Sequence, residues 1–426
     1  MRPRLRGRGS SCRIGRSETA ALVVFGLTYF FIAVQRVRWL HLNRPAAALL
    51  GAVGMVAVGG LSLTDAYQAI DLDVLVFLLG LMILVGHLEL GGFFEWAAGR
   101  LLSHSGTPRR LLVAVVLGSG LLSALFVNDT VCLVFTPVLL AALVPLGVRP
   151  TPYLMALAMG SNVGSALTIV GNPQNMLIGL WSRIGFATFA LRMLPVVLGA
   201  LALTCGLLLW LFRRELPPAF PARVVPETVR LDRPLVVAAL VIFGGAFLAW
   251  LFGASLPGVA ILAGAVMLAV ARRDPKPALE KVEWELLLFF GALFVVMRGL
   301  ERSGAIGMIS TEGIRAIALG GRWATATAVS GVMLVLSNLI SNVPAVMLWR
   351  NVVPALPDPA LVWQVMAMSA TFAGNLLLVG SMANLIVAER AEARGVQLGY
   401  WEYARAGIPV ALATLAWGVA VLAITG

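Results

Sequence analysis

The chain has 426 residues, 60% of them hydrophobic and 12% charged, whereas soluble domains carry about 25% charged residues. Too little polar sequence remains to cover a large buried core, which excludes a soluble globular fold. The formal net charge of +12 comes from Arg scattered through short loops, and the lack of a basic, aromatic-interleaved domain excludes a nucleic-acid partner. Cys12, Cys132 and Cys205 are too far apart to suggest a metal site or a disulfide framework.

Residues 1–19 form an Arg-rich extension ahead of the first apolar run. Apolar runs then predict membrane spans at 20–34, 46–61 and 72–88. The next run, 111–146, is too long for one helix and is interrupted at Val127-Asn128-Asp129-Thr130. Its halves suit two short helices joined at a polar tip, a re-entrant hairpin. A span at 153–170 is broken at Gly171-Asn172-Pro173-Gln174-Asn175, and another follows at 193–212. Proline lacks an N–H and clashes with the preceding turn, and irregular backbone at membrane depth persists only where it is buried in protein or lines a cavity. Residues 213–233, rich in Arg and Pro, read as a linker.

The pattern then begins again at 235–252, 259–271 and 285–300. A run at 325–353 is interrupted at Ser341-Asn342-Val343-Pro344, one at 361–379 is broken at Gly380-Ser381-Met382-Ala383-Asn384, and 406–424 closes the chain. Gly51 aligns with Gly264, Gly80 with Gly291, Asn128 with Asn342, Gly171 with Gly380 and Asn175 with Asn384, at nearly constant spacing. This predicts an internal repeat of 20–212 and 234–426. With the hairpin counted as no crossing, each half crosses five times, and an odd count turns the second half upside down. The expected fold is an all-α polytopic membrane protein: an inverted repeat of two halves, each with five crossings plus a re-entrant hairpin and a broken helix. Of the 32 Lys and Arg, 19 fall in loops on one side, which places both termini outside by the positive-inside rule. A multi-pass position in the cell inner membrane is expected.

Four polar interruptions should therefore meet near the mid-plane. Helix halves that begin there offer N–H groups to anionic, oxygen-rich solutes, and halves that end there offer carbonyls to Na⁺ or a protonated species. Asp129 is the acidic residue well inside a span, and intramembrane carboxylates are functional by default. It could ligate Na⁺ together with Asn128, carry a proton, or cap the helix starting at Thr130. Asn128, Asp129, Thr130, Asn172, Gln174, Asn175, Ser341, Asn342, Ser381 and Asn384 are the expected substrate- or ion-binding residues. Gly171, Pro173 and Gly380 make the helix breaks, the glycines by permitting unwound backbone. Ser161 and Asn162, up to three turns before a break, are assigned to helix packing. No His-Glu-x-x-His, Gly-x-Ser-x-Gly or phosphate-loop motif occurs, so no enzyme activity and no cofactor beyond a coupling Na⁺ or H⁺ is expected.

The segment Phe126-Val-Asn-Asp-Thr-Val-Cys-Leu-Val-Phe-Thr-Pro137 is similar to the Asn-Asp and Thr-Pro segment of arsenite-permease-like proteins. Gly160-Ser-Asn-Val-Gly-Ser-Ala-Leu-Thr-Ile-Val-Gly-Asn-Pro-Gln-Asn175 resembles bacterial permeases grouped with divalent-anion:sodium symporters. Both point to the ion-transporter superfamily. In dicarboxylate symporters of that group each hairpin tip is Ser-Asn-Thr; here the tips keep the Asn but lose part of the hydroxyl set. A fixed charge at Asp129 disfavours a dianion unless a cation or proton neutralises it. The resemblance implies a secondary active transporter, within a homodimer, moving a small anionic or oxyanion-like solute with Na⁺ or H⁺. The alternatives it leaves open are an arsenite or antimonite efflux permease exchanging protons through Asp129, and a sodium/proton antiporter.

Overall fold

A computed structural model describes residues 16–34, 43–58, 60–221, 230–304 and 320–425; residues 1–15 of the extension and 222–229 of the linker, with Cys12, Arg36, Arg38 and Arg223, lie outside the described residues. The chain is helical throughout these segments. Its first half runs α1 (Arg16–Val34), α2 (Arg44–Ala57), α3 (Leu63–Ala69), α4 (Leu72–Leu90), α5 (Phe93–His104), α6 (Pro108–Leu125), α7 (Asn128–Leu143), α8 (Thr151–Ser165), α9 (Pro173–Ser182) and α10 (Phe186–Leu211). The second runs α11 (Arg233–Leu251), α12 (Leu256–Val270), α13 (Lys276–Glu280), α14 (Trp284–Arg302), α15 (Gly321–Ile340), α16 (Asn342–Met347), α17 (Pro359–Ala373), α18 (Met382–Glu392) and α19 (Tyr400–Thr425). Among the described residues, α4, α6, α10, α11, α15 and α19 are long and apolar enough to cross a membrane.

The order of elements repeats. The pairs α6–α7 and α15–α16 are each a helix, a short tip and a second helix. The pairs α8–α9 and α17–α18 are each a helix, a single 3-10 turn (Ile169–Gly171 or Leu378–Gly380) and a second helix. The long helices α10 and α19 carry an internal proline at matching positions, Pro195 and Pro409.

Six helix starts share one device. Asn43, Thr107, Asn172, Asp232, Ser255 and Asp358 each accept a backbone N–H of the following turn, and a proline occupies the first or second helical position. The side-chain oxygen satisfies an orphan N–H, and proline is tolerated there because its missing N–H would find no partner anyway.

That device corrects the expected break. The residues Pro173-Gln174-Asn175 form the first turn of α9, and the irregular stretch lies earlier, between Ser165 and Asn172. In the second half it lies between Ala373 and Ser381, so Met382, Ala383 and Asn384 open α18. Proline here starts a helix instead of ending one. Two further expectations change. The second arm of the second hairpin is the short α16, continued by turns and a 3-10 turn at Val353–Ala355. The helix α5 lay in no predicted span; it buries Phe94, Ala98 and Leu102 along one side, and its 12 residues are too few to cross a membrane.

Contacts divide the chain into two compact units. The smaller holds the described residues within 1–71 and 288–304. Within it the Tyr29 hydroxyl reaches Met297 Sδ at 3.2 Å, and Arg302 forks onto Asp65 at 2.7 and 2.6 Å. The larger holds the described residues within 72–287 and 320–425 and contains every candidate site residue. Its helices approach at glycines, as lipid-embedded helices do where small residues let backbones meet. A Cβ on Gly80 would lie 2.3 Å from the Ala260 carbonyl carbon, and one on Gly164 would lie 2.1 Å from the Gly120 carbonyl oxygen. The second contact locks α6 against α8 and sets the first hairpin tip over the first break.

Candidate functional site

Asn162, near the end of α8, is the hub of the site. Its Oδ1 accepts from Asn128 Nδ2 at 3.2 Å and from Ser381 Oγ at 3.0 Å. Its Nδ2 donates to Asn375 Oδ1 at 2.9 Å and Asn384 Oδ1 at 3.0 Å. A carboxamide has two lone pairs and two N–H bonds, and all four are used. One side chain, 2% exposed, thus ties the first hairpin tip and the first helix break to the second break. Ser161 donates to the Asn128 carbonyl at 3.2 Å and pairs with Ser123 Oγ at 2.7 Å, fixing the same tip.

The two breaks are held by the same clasp. Asn175 Nδ2 donates to the Ser165 and Thr168 carbonyls at 3.3 and 3.0 Å. Asn384 Nδ2 donates to the Gly374 and Leu377 carbonyls at 2.7 and 3.2 Å. Each donor lies 209 positions from its counterpart, and so does each acceptor. The carbonyls at a helix end have no intrahelical partner, and each clasp asparagine supplies one. Gly171 and Gly380 serve close approach here and not an unusual φ: neither has positive φ. A Cβ on Gly171 would lie 2.1 Å from the Ser165 carbonyl oxygen, and one on Gly380 would lie 2.7 Å from Asn338 Oδ1.

Contacts across the repeat are reciprocal. Asn172 Nδ2 and Gln174 Nε2 donate to Thr371 Oγ1 at 3.3 and 3.1 Å, while Ser381 donates to Asn162. Asn172 corresponds to Ser381, and Asn162 to Thr371, again 209 positions apart.

The two tips differ. Val127 and Asn128 are buried, whereas Ser341 and Asn342 are half-buried. Asn128 Oδ1 and Asn342 Oδ1 are enclosed and accept no hydrogen bond among the described residues; these oxygens are available to a cation. The second tip is tied to the second break through Asn338, whose Nδ2 donates to the Ala373 carbonyl at 3.0 Å. Ser341 holds φ 78° and ψ 157°, a region costing a side-chain-bearing residue about 1–3 kcal/mol.

Asp129 is half-buried in the first turn of α7, whose N-cap position is Val127. It therefore does not cap a helix beginning at Thr130. As the second helical residue it faces the positive end of the helix dipole. Thr130 is also half-buried, with no side-chain hydrogen bond among the described residues. Sequence reasoning missed Asn162, Thr371 and Asn375 as site residues. The signal of Asn162 and Thr371 was present: polar side chains within one turn before a break in otherwise apolar runs, at matching places in both halves, while Asn375 lies inside the second break.

Comparison with known proteins agrees with this architecture. A family model described as a citrate transporter matches residues 29–373. The rice silicon efflux transporter LSI3 (Oryza sativa subsp. japonica) is 32% identical over 93% of this chain and 96% of its own length. The inner membrane protein YbiR of Escherichia coli is 33% identical over 81% of this chain and 86% of its own. Among solved structures, Neisseria gonorrhoeae MtrF superposes with TM-score 0.57 at 13% identity, covering 97% of this chain and 96% of that one. The Alcanivorax borkumensis YdaH transporter gives 0.50 at 15% identity over 96% and 98%. The two structures share the fold, and the first relative is similar in sequence over nearly its whole length. The chain belongs to the citrate-transporter family, a family of multi-pass membrane transporters and not of enzymes.

Proposed function

We propose that the chain is a secondary active transporter that moves a small anion across the cell inner membrane, driven by a Na⁺ or H⁺ gradient. The observation that carries this reading is the Asn162 network, which joins a hairpin tip to both helix breaks while leaving Asn128 Oδ1 and Asn342 Oδ1 without donors. Four helices, α7, α9, α16 and α18, begin at these tips and breaks, and their N–H ends favour an anion. The two tip oxygens favour a cation, with Na⁺ at Asn128 and Asp129 or a proton on Asp129. Anion and coupling cation then neutralise one another in the same place.

Reciprocal pairing of Asn172 with Thr371 and of Ser381 with Asn162 is what a two-fold relation between the halves produces. It supports an inverted repeat of residues 20–212 and 234–426, in which alternating access exchanges the roles of the two hairpins. Our reading includes a homodimer. The family's description names citrate, so carboxylate-bearing solutes lead the substrate class.

A second reading has one specific observation in its favour: the 32% identity with a silicon efflux transporter. An uncharged metalloid hydroxide would tolerate the carboxylate of Asp129 and could leave in exchange for protons. The test is uptake and efflux in proteoliposomes of the purified chain under imposed Na⁺ or pH gradients, with citrate, sulfate, silicic acid and arsenite. Gradient-dependent movement of citrate or sulfate supports the first reading. Movement of silicic acid or arsenite alone replaces it with the second.

A further inference from the structure

Arg192 is the sixth residue after the first of α10, inside a helix long and apolar enough to cross the membrane. It is half-buried, and no carboxylate pairs with it among the described residues. Its one hydrogen-bond partner there is Gln364 Oε1, at a long 3.5 Å. Gln364 is fully buried on α17, and its Nε2 has no acceptor. Side by side stand a guanidinium without a counter-ion and an enclosed NH₂ without an acceptor. Snorkelling toward the interface accounts for an arginine head near water, but not for an enclosed amide donor left unpaired, which costs stability.

Gln364 has a second property. Residues seven positions apart share a helix face, and Gln364 and Thr371 have that spacing on α17. Thr371 and Asn375 belong to the hydrogen-bond network at the breaks. Gln364 therefore lies about 10 Å from Thr371 of the central network along one face of α17, at 1.5 Å per residue, with Ala367 and Met368 between them.

We propose that Arg192 and Gln364 form a separate oxyanion-binding site, a station for a carboxylate, sulfate or phosphate group about two helical turns along α17 from the central network. The guanidinium supplies charge and a two-pronged donor set suited to planar or tetrahedral oxyanions, and Gln364 Nε2 supplies the donor that orients the group. As an entry station for the transported solute the site rests on the anion reading above; as a binding site it stands alone.

The experiment is thermal unfolding of the purified full chain in detergent at low ionic strength, titrated with sodium sulfate, sodium phosphate or sodium citrate against sodium chloride of equal ionic strength. At least one oxyanion should raise the midpoint saturably. Half-saturation should weaken about 10- to 100-fold in Arg192→Gln, the loss of a charge-assisted bond, and about 3- to 10-fold in Gln364→Leu. Arg192→Lys should retain part of the effect. If Arg192→Gln does not fold, Arg192→Lys and Gln364→Leu carry the comparison. A second arm uses nanodiscs of phosphatidylcholine with and without phosphatidylglycerol. Arg192-dependent stabilisation by phosphatidylglycerol, with none from the soluble anions, keeps the site and makes its ligand a lipid phosphate. No shift in either arm, or one of the same size in Arg192→Gln and Gln364→Leu, overturns the proposal. Transport of an anion by a chain that fails this binding test removes only the station. Arg192-dependent binding in a chain that transports no anion removes only the transport reading.

Discussion

Replacing Asn162 by alanine deletes all four hydrogen bonds of the hub at once. Hydrogen bonds between membrane helices average about 0.6 kcal/mol each, which sets a lower expectation of about 2–3 kcal/mol. Enclosed groups left without partners cost about 1 kcal/mol or more apiece, which raises the expectation to about 4. Asn384 Nδ2 keeps its bonds to the Gly374 and Leu377 carbonyls, and Asn375 Nδ2 keeps its bond to the Met159 carbonyl, so the loss should not go further. For a chain of this length each kcal/mol lowers the unfolding midpoint by roughly 1–2 °C. Thermal unfolding in detergent should therefore show a fall of several degrees. Asn162→Asp is the sharper variant, because it turns two donors into acceptors facing Asn375 Oδ1 and Asn384 Oδ1. It should be less stable than Asn162→Ala at neutral pH and recover as acid protonates the new carboxyl. A midpoint for Asn162→Ala within 1 °C of the parent would refute the hub.

The remaining predictions follow from single contacts. Gly171→Ala forces a Cβ to within 2.1 Å of a carbonyl oxygen and should destabilise by about 1–3 kcal/mol; Gly206→Ala, with open space around it inside α10, should leave the midpoint unchanged or raise it slightly in the same assay. Ser341→Gly relieves a positive φ and should raise the midpoint while altering transport, since strain of this kind is retained at working sites. In the smaller unit, the Ser62 hydroxyl, helped by Arg302, holds the Asp65 carboxyl below its usual range. A depressed pKa stabilises above the unfolded value near 4 and is lost as pH falls through the folded one. Acid titration of the midpoint should therefore show a component that disappears in Asp65→Asn.

Much of this was legible in the sequence because the signals were physical and came twice. Asn128 and Asn342, Gly171 and Gly380, and Asn175 and Asn384 recur at nearly one spacing, and the structure gives Asn175 and Asn384 the same clasp. The exact position of each break was not legible. Pro173 reads as a helix breaker when the cap in front of it is ignored, and Asn172 is that cap. Asn162 was hidden for a related reason. A lone amide in an apolar run looks like helix packing until its four partners, three of them on the second half of the chain, are placed around it. Arg192 fell outside the predicted span at 193–212, because hydropathy ends a span at a charge while the helix continues past it from Phe186. The α5 helix escaped because Glu95, Gly99 and Arg100 interrupt its apolar residues and leave no continuous run.

The central claim is that the tips and breaks form one transport site. The most direct measurement is gradient-driven anion uptake into proteoliposomes by the parent chain, Asn128→Ala, Asn342→Ala and Gly206→Ala, with the folded fraction of each fixed by its unfolding midpoint. Uptake should be lost in both asparagine variants and kept in Gly206→Ala, although Asn128 and Asn342 lie 214 positions apart and only Asn128 touches the hub. Full uptake by folded Asn128→Ala or Asn342→Ala would contradict the account.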